Sequence, residues 1–317
     1  MSRTGRMPAT SSPRSAKSGA GTGSGGGKAA HLRPAMTSPK KVSSTTPLMV
    51  DRDSYWFLST RPLHTLAFLA PLLALYEIGT LVFLSGNGLV EVIRARLMLS
   101  QVMDVFGAVG FHLPPILLSV ILLCWHVLER DKWVLRKDVV LGMALESFVW
   151  TLPLFVFAAI AGTSQTLIAS PGTQPGTLPM GAITTPNVPA MLAQVGGTTP
   201  VEQLSLASRL VLALGAGIYE ELLFRLILIV GLHFILKDLF RISEGTTYVI
   251  AAFVSAIAFT LYHNIQHPGG GADMRLLVIY MIAGLYFAVL FILRGFGVSV
   301  ATHACYDVIA LSLLGRS

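Results

Sequence analysis

Gly217-Ile218-Tyr219-Glu220-Glu221-Leu222-Leu223-Phe224-Arg225 sits in the middle of an apolar run from about Leu210 to Leu236. About 20 apolar residues at ~1.5 Å rise cross a ~30 Å hydrocarbon core, so the run reads as a membrane span. Each ionisable residue in such a span costs roughly 2.5 to 3.5 kcal/mol on insertion scales. Three within six positions need compensation, and they are the first candidates for chemistry.

Working outward, the composition agrees with a membrane setting. Of 317 residues, 53% are hydrophobic and 12% charged, and the mean hydropathy is +0.67, values that exclude an ordinary soluble enzyme. Several separate runs predict an all-α, polytopic helix bundle with about seven spans. These are Pro62–Leu84, Leu113–Leu128, Val139–Gly162, Leu210–Leu236, Thr247–His263, Leu276–Leu293 and Val298–Leu314. Between the first two, the stretch 88–106 mixes charge and apolar residues at helical spacing and reads as an interfacial helix. Glu77 and Glu146 fall inside the first and third spans, where neutral acids hydrogen-bonding between helices are expected.

Four regions follow: 1–50, 51–163, 164–200 and 201–317. Residues 1–50 hold eight Lys or Arg and no acid, so the net charge of +7 belongs to this tail. Rich in Gly, Ser, Thr and Pro, it is expected to be disordered and cytoplasmic, a topology determinant and tether to anionic lipid. Its basic residues are not interleaved with aromatics, which argues against nucleic acid as a partner. Residues 164–200 are rich in Pro, Gly and Thr and carry no charge, as expected of a long external loop. Thr199-Pro200-Val201-Glu202 then reads as a helix start. Two cysteines, Cys124 and Cys305, lie inside apolar runs and offer neither a disulfide framework nor a Cys-based zinc set.

Glu221 and Arg225 share a helix face and can pair, while Glu220 points ~100° away. Two later helices add partners. Phe259-Thr260-Leu261-Tyr262-His263 ends the fifth span, and His303-Ala304-Cys305-Tyr306-Asp307 places an imidazole and a carboxylate at i and i+4. Buried carboxylates and imidazoles from three helices make the inventory of a hydrolytic site, with a glutamate as general base and a histidine able to stabilise an oxyanion. At ~1.5 Å per residue, Glu220 lies ~15 Å below Leu210, His263 ~24 Å along its span and His303 ~8 Å into its own. Matching those depths predicts that the fifth span starts before Thr247 or tilts, and that the seventh begins within the bilayer after Gly295 and Gly297. One shared site requires the two histidines within ~12 Å of each other.

E-E-x-x-x-R at Glu220–Arg225, F-x-x-x-H at Phe259–His263 and H-x-x-x-D at His303–Asp307, in that order on separate helices, resemble the CPBP intramembrane proteases, also called Abi. That family includes the type II CAAX prenyl endopeptidases and bacterial relatives linked to bacteriocin processing or self-immunity. The resemblance covers about residues 205–312. It implies an intramembrane endopeptidase acting on a lipidated, CAAX-like or hydrophobic peptide, in contact with membrane lipid, in a bacterial plasma membrane with the N-terminus cytoplasmic. Glu220 would activate water with Glu221 assisting or holding Arg225, His263 would bind or activate the water, and His303 and Asp307 would stabilise the oxyanion. Arg225 and Phe259 would support them. No cofactor is expected. H-E-x-x-H is absent and paired glutamates can activate water unaided, while Glu220, His263 and His303 stand as the set if zinc is used. A non-catalytic immunity or scaffold protein and a proton-coupled transporter are the other classes this inventory could serve.

Overall fold

The computed structural model describes residues 52–84, 94–105, 113–168, 204–263, 265 and 271–314, all within one unit, Val50–Ser317. The basic tail, the body of the 164–200 loop and the helix start expected at Thr199–Glu202 lie outside the described residues. Every described element of any length is helical. A short α1, Tyr55–Leu58, is capped by Ser54, whose hydroxyl accepts the Phe57 N–H. Next comes α2, Pro62–Gly79, with a proline at its first position, running on as a π-wound turn, Thr80–Leu84. Then follow α3 (Arg94–Val105), α4 (Leu113–Glu129) and α5 (Lys137–Ile168).

The motif helix opens as α6, Leu206–Glu221. It continues without a break through a π-wound stretch, Leu222–Ile229, a single α turn, α7 (Val230–His233), and a second π-wound stretch, Phe234–Leu239. Three further helices complete the bundle: α8 (Glu244–Tyr262), α9 (Met274–Arg294) and α10 (Phe296–Leu314). All seven expected spans are therefore helices. Among the described residues, four stretches are long and apolar enough to cross a membrane, Pro62–Leu84, Lys137–Ala161, Glu244–Tyr262 and Met274–Arg294, and Pro114–Glu129 and Phe296–Ser312 are shorter apolar helices. The chain is an all-α, polytopic integral membrane protein.

Burial runs opposite to a soluble protein. Leu75, Ile78, Leu81, Leu141, Leu145, Phe148 and Leu152 project outward, whereas Arg96, Glu221, Arg225, Ser255, Ser299 and Thr302 are buried. A bilayer rewards the first group with lipid contact, and the second finds hydrogen bonds inside the bundle. Small residues set how closely the helices approach. A Cβ on Gly217 would lie 2.6 Å from the backbone nitrogen of Ala304, which pins α6 against α10. One on Gly284 would lie 3.0 Å from the Ala256 Cα, which does the same for α9 and α8. Gly295, at φ +83°, is the single residue joining α9 to α10, a conformation in which glycine bears no Cβ penalty.

The helices depart from the sequence expectations at several points. The third span runs on as helix to Ile168, past the expected end at Gly162. The described start of the motif helix is Leu206, capped by Ser205, whose hydroxyl accepts the Ser208 N–H at 3.1 Å. The expected interfacial helix is not merely superficial, because its Arg96 is fully buried. Glu77 and Glu146 are not lone neutral acids. Glu77 faces Arg96 at 3.3 Å, and Glu146 is bonded by both Arg294 and Tyr55. A permanent guanidinium beside each carboxylate makes an ion pair the satisfied state. The fifth span starts at Glu244, before Thr247 as expected, whereas the seventh starts at Phe296, after Gly295 but ahead of Gly297.

Candidate active site

Glu220 and Glu221 close the regular part of α6, and the change to π winding begins at Leu222. Such π-wound turns occur frequently at functional sites. The two carboxylates point to different partners, as their ~100° separation dictates. Glu221 is fully buried, accepts from the Ser299 hydroxyl at 2.6 Å and from His303 Nδ1 at 2.9 Å, and is ion-paired with the Arg225 guanidinium at 3.3 Å. Glu220 makes no hydrogen bond to a described side chain and faces His263 Nε2 at 3.8 Å. Adjacent residues of one type thus carry different duties.

The helices that supply the partners explain their aim. His263 is the residue on which α8 ends; its backbone turns extended, and its Nδ1 lies 2.7 Å from the Phe259 carbonyl. A carbonyl can only accept, so Nδ1 carries a hydrogen, and Nε2 is the nitrogen that faces Glu220. The Tyr280 ring stacks on this imidazole at 4.2 Å between centroids. His303 is held by Glu221 at Nδ1, by the Phe287 ring stacked at 4.5 Å, and by Asp307 3.6 Å from Nε2. Both histidines flank the Phe259 ring, at 4.4 and 6.2 Å, which bounds their separation below the ~12 Å limit that a shared site sets.

Arg225 is buried and spans the base of the site. Its Nη2 donates to the Gly284 carbonyl at 3.3 Å, and its guanidinium lies 4.5 Å from the Phe259 ring centre. Its Nε and Nη1 have no hydrogen-bond partner, so pairing with Glu221 and the aromatic face carry its charge. Glu220, Glu221, Arg225, Phe259, His263, His303 and Asp307 are all brought to one place. The zinc set Glu220, His263 and His303 is not assembled: among the described residues no three His, Cys, Asp or Glu side chains form a metal-holding group. Both ring nitrogens of His303 are directed at other carboxylates, so it does not join Glu220 and His263 as a third ligand.

Three contributors escaped the sequence reading. Ser299 could have been found, because Ser299, His303 and Asp307 repeat every four residues along one face of α10. Tyr280 and Phe287 lie two turns apart on α9, where an aromatic in an apolar run carries no signal that separates it from packing. Tyr219 and Tyr262, which precede Glu220 and His263, reach to Glu77 and to the Ala95 N–H of α3, and Tyr306 packs on Phe155.

Residues 202–309 match the protein-family model described as type II CAAX prenyl endopeptidase Rce1-like. The matched segment, about a third of the chain, is similar to the Rce1-like family. It contains every motif residue from Glu220 to Asp307 and leaves α1 to α5 outside. No curated protein and no solved structure matches the chain. The Rce1-like family is a protease family, so the segment that gathers these carboxylates and imidazoles is a hydrolase unit at the family level.

Proposed function

We propose that the protein is an intramembrane endopeptidase that hydrolyses a peptide bond of a lipidated, CAAX-like or hydrophobic peptide. The observation carrying this reading is the division of labour between adjacent glutamates, one saturated by donors and the other facing an imidazole across a 3.8 Å gap. That gap exceeds hydrogen-bond length, and a single water lying off its axis reaches both groups at ~2.8 Å. One water hydrogen then points to Glu220 and the other to His263 Nε2, leaving the oxygen lone pairs directed at an incoming carbonyl.

Glu220 takes a proton as the water oxygen bonds to the carbonyl carbon. The carbonyl oxygen becomes an oxyanion, and His303 Nε2–H donates to it. The 3.6 Å spacing to Asp307 is beyond hydrogen-bond length and leaves that N–H room to do so. Asp307 lies 3.6 Å from that same Nε2 and helps to orient the ring, which Glu221 holds at Nδ1. Collapse of the intermediate breaks the C–N bond, and the leaving nitrogen takes the proton from Glu220. Glu221 does not enter the proton path; it holds His303 and Arg225. The N-terminus is placed in the cytoplasm because its basic tail follows the positive-inside pattern.

The test is hydrolysis of a prenylated C-a-a-X peptide by the full-length protein in bilayer nanodiscs. Cleavage by the wild type that survives exhaustive chelation and falls at least ~10³-fold in Glu220→Gln is expected, the scale of losing a positioned general base. Equal turnover by the two proteins would remove Glu220 from the chemistry. Loss on chelation with recovery on zinc would replace this mechanism with a metal-assisted one.

A further inference from the structure

A helix outside the matched segment contacts the residues that immediately precede both Glu220 and His263. Arg96, on α3, is fully buried. Its Nη1 donates to the Tyr76 hydroxyl at 2.6 Å, its Nη2 lies 3.3 Å from Glu77 Oε1, and its guanidinium lies 5.1 and 5.5 Å from the ring centres of Tyr76 and Tyr219. Tyr219 in turn donates to Glu77 at 3.2 Å and meets the Tyr76 ring edge-on at 5.3 Å. Tyr219 immediately precedes Glu220. One residue before Arg96, the Ala95 N–H donates to the Tyr262 hydroxyl at 3.0 Å. Ala95 is the second described residue of α3. Tyr262 immediately precedes His263.

From this we infer that Arg96 is a positioning residue: α3, locked by Arg96 to Glu77, Tyr76 and Tyr219 and hydrogen-bonded to Tyr262, sets the orientation of Glu220 and His263 toward each other. The inference rests on the endopeptidase reading of that pair. Geometry makes the coupling steep. A ~20° rotation of α6 sweeps a side-chain tip ~6 Å from the helix axis through ~2 Å, and a ~1 Å misplacement of a reacting group can cost ~10²-fold in rate. Tyr219 and Glu220 are consecutive, so fixing the ring of the first fixes the rotation that aims the second. Tyr262 is the last residue of α8, and its phenol–amide bond to α3 steadies the residue before the imidazole.

The test uses the full-length protein in nanodiscs, with steady-state hydrolysis of a prenylated C-a-a-X peptide alongside amide hydrogen exchange. Arg96→Met with Glu77→Leu replaces the buried ion pair by apolar groups of similar size, an exchange that folding tolerates. That double variant and Tyr262→Phe are expected to lower kcat about 10²-fold with KM changed less than ~3-fold, the signature of lost transition-state alignment. Exchange should rise about 10-fold at residues 258–263 and not in α5 or α9, since only the local opening changes. Arg96→Lys, which keeps the charge but not the fork, should recover part of kcat. Unchanged kcat and exchange would overturn the inference, as would a parallel fall of kcat, substrate affinity and melting temperature with exchange raised in every helix. If wild type and Glu220→Gln prove equally inert, the endopeptidase reading fails, and the exchange arm alone decides: a rise confined to 258–263 upholds α3 as the positioning element, and no rise refutes it.

Discussion

Glu220 and Glu221 are consecutive and chemically identical, yet their surroundings separate them. Glu221 fills its acceptor capacity with Ser299, His303 and Arg225, so altering it should damage structure first. Removing one partner of a buried pair strands the other charge and costs about 3 to 5 kcal/mol. Glu221→Ala is therefore expected to lower the melting temperature in detergent sharply, whereas Glu220→Gln, which keeps shape and leaves no guanidinium unpaired, should melt within a few degrees of wild type. Equal melting shifts in the two variants would contradict the division of roles. Ser299→Ala makes a finer probe. Losing one hydrogen bond to a carboxylate costs roughly 1.5 to 3 kcal/mol, and the fall in unfolding free energy should be measurable without loss of the bundle.

Among the elements, α6 and α10 carry most of the site between them, and Gly217 is where they touch. An added methyl at Gly217 meets the Ala304 backbone at 2.6 Å, which has no flexible end to move aside. Gly217→Ala should force the helices apart, cost about 1 to 3 kcal/mol as overpacking does, and widen the Glu221–His303 contact. A thermal melt together with turnover of the C-a-a-X peptide would show both effects. Gly245 is the internal control, since nothing lies within 4 Å of a Cβ placed there, and Gly245→Ala should be nearly silent in both assays. The one-residue joint at Gly295 works differently. Its φ of +83° is unfavourable for a residue with a Cβ by about 1 to 2 kcal/mol, so Gly295→Ala should loosen the entry to α10 and lower stability by that order.

For the whole molecule, the decisive property is an apolar exterior around an apolar core in which buried ion pairs and hydrogen-bonded polar residues are embedded. Four stretches long and apolar enough to cross a bilayer should keep the protein in the pellet after alkaline carbonate and high-salt washing, with release by detergent. Recovery in the carbonate supernatant would contradict the integral-membrane architecture. The ion pairs also differ by depth. Lys237–Glu244, at 3.0 Å, is solvent-exposed and is expected to be energetically minor. Arg294, bonded to Glu146 and with Trp56 4.1 Å from its guanidinium, braces α9 against α1 and α5 from the interior. Buried charge pairs of this kind are part of the framework and not of the chemistry.

Much of this was legible in the chain itself. Apolar runs fix which segments are helices in lipid, because backbone groups there have no other partner. The i, i+4 spacing of Glu221 with Arg225 and of His303 with Asp307 fixes which side chains share a face, because helical period is local. Spacing along one helix cannot say what stands opposite, so the fates of Glu220 and Glu221, the stacking of Tyr280 and Phe287 on the two imidazoles, and the entry of Ser299 were decided only when four helices packed together. The same reason hid Arg96. A charge in an amphipathic stretch reads as solvated until tertiary contacts bury it against Glu77 and two tyrosines, since burial is a property of neighbours brought from elsewhere in the chain and not of the residue or its sequence context.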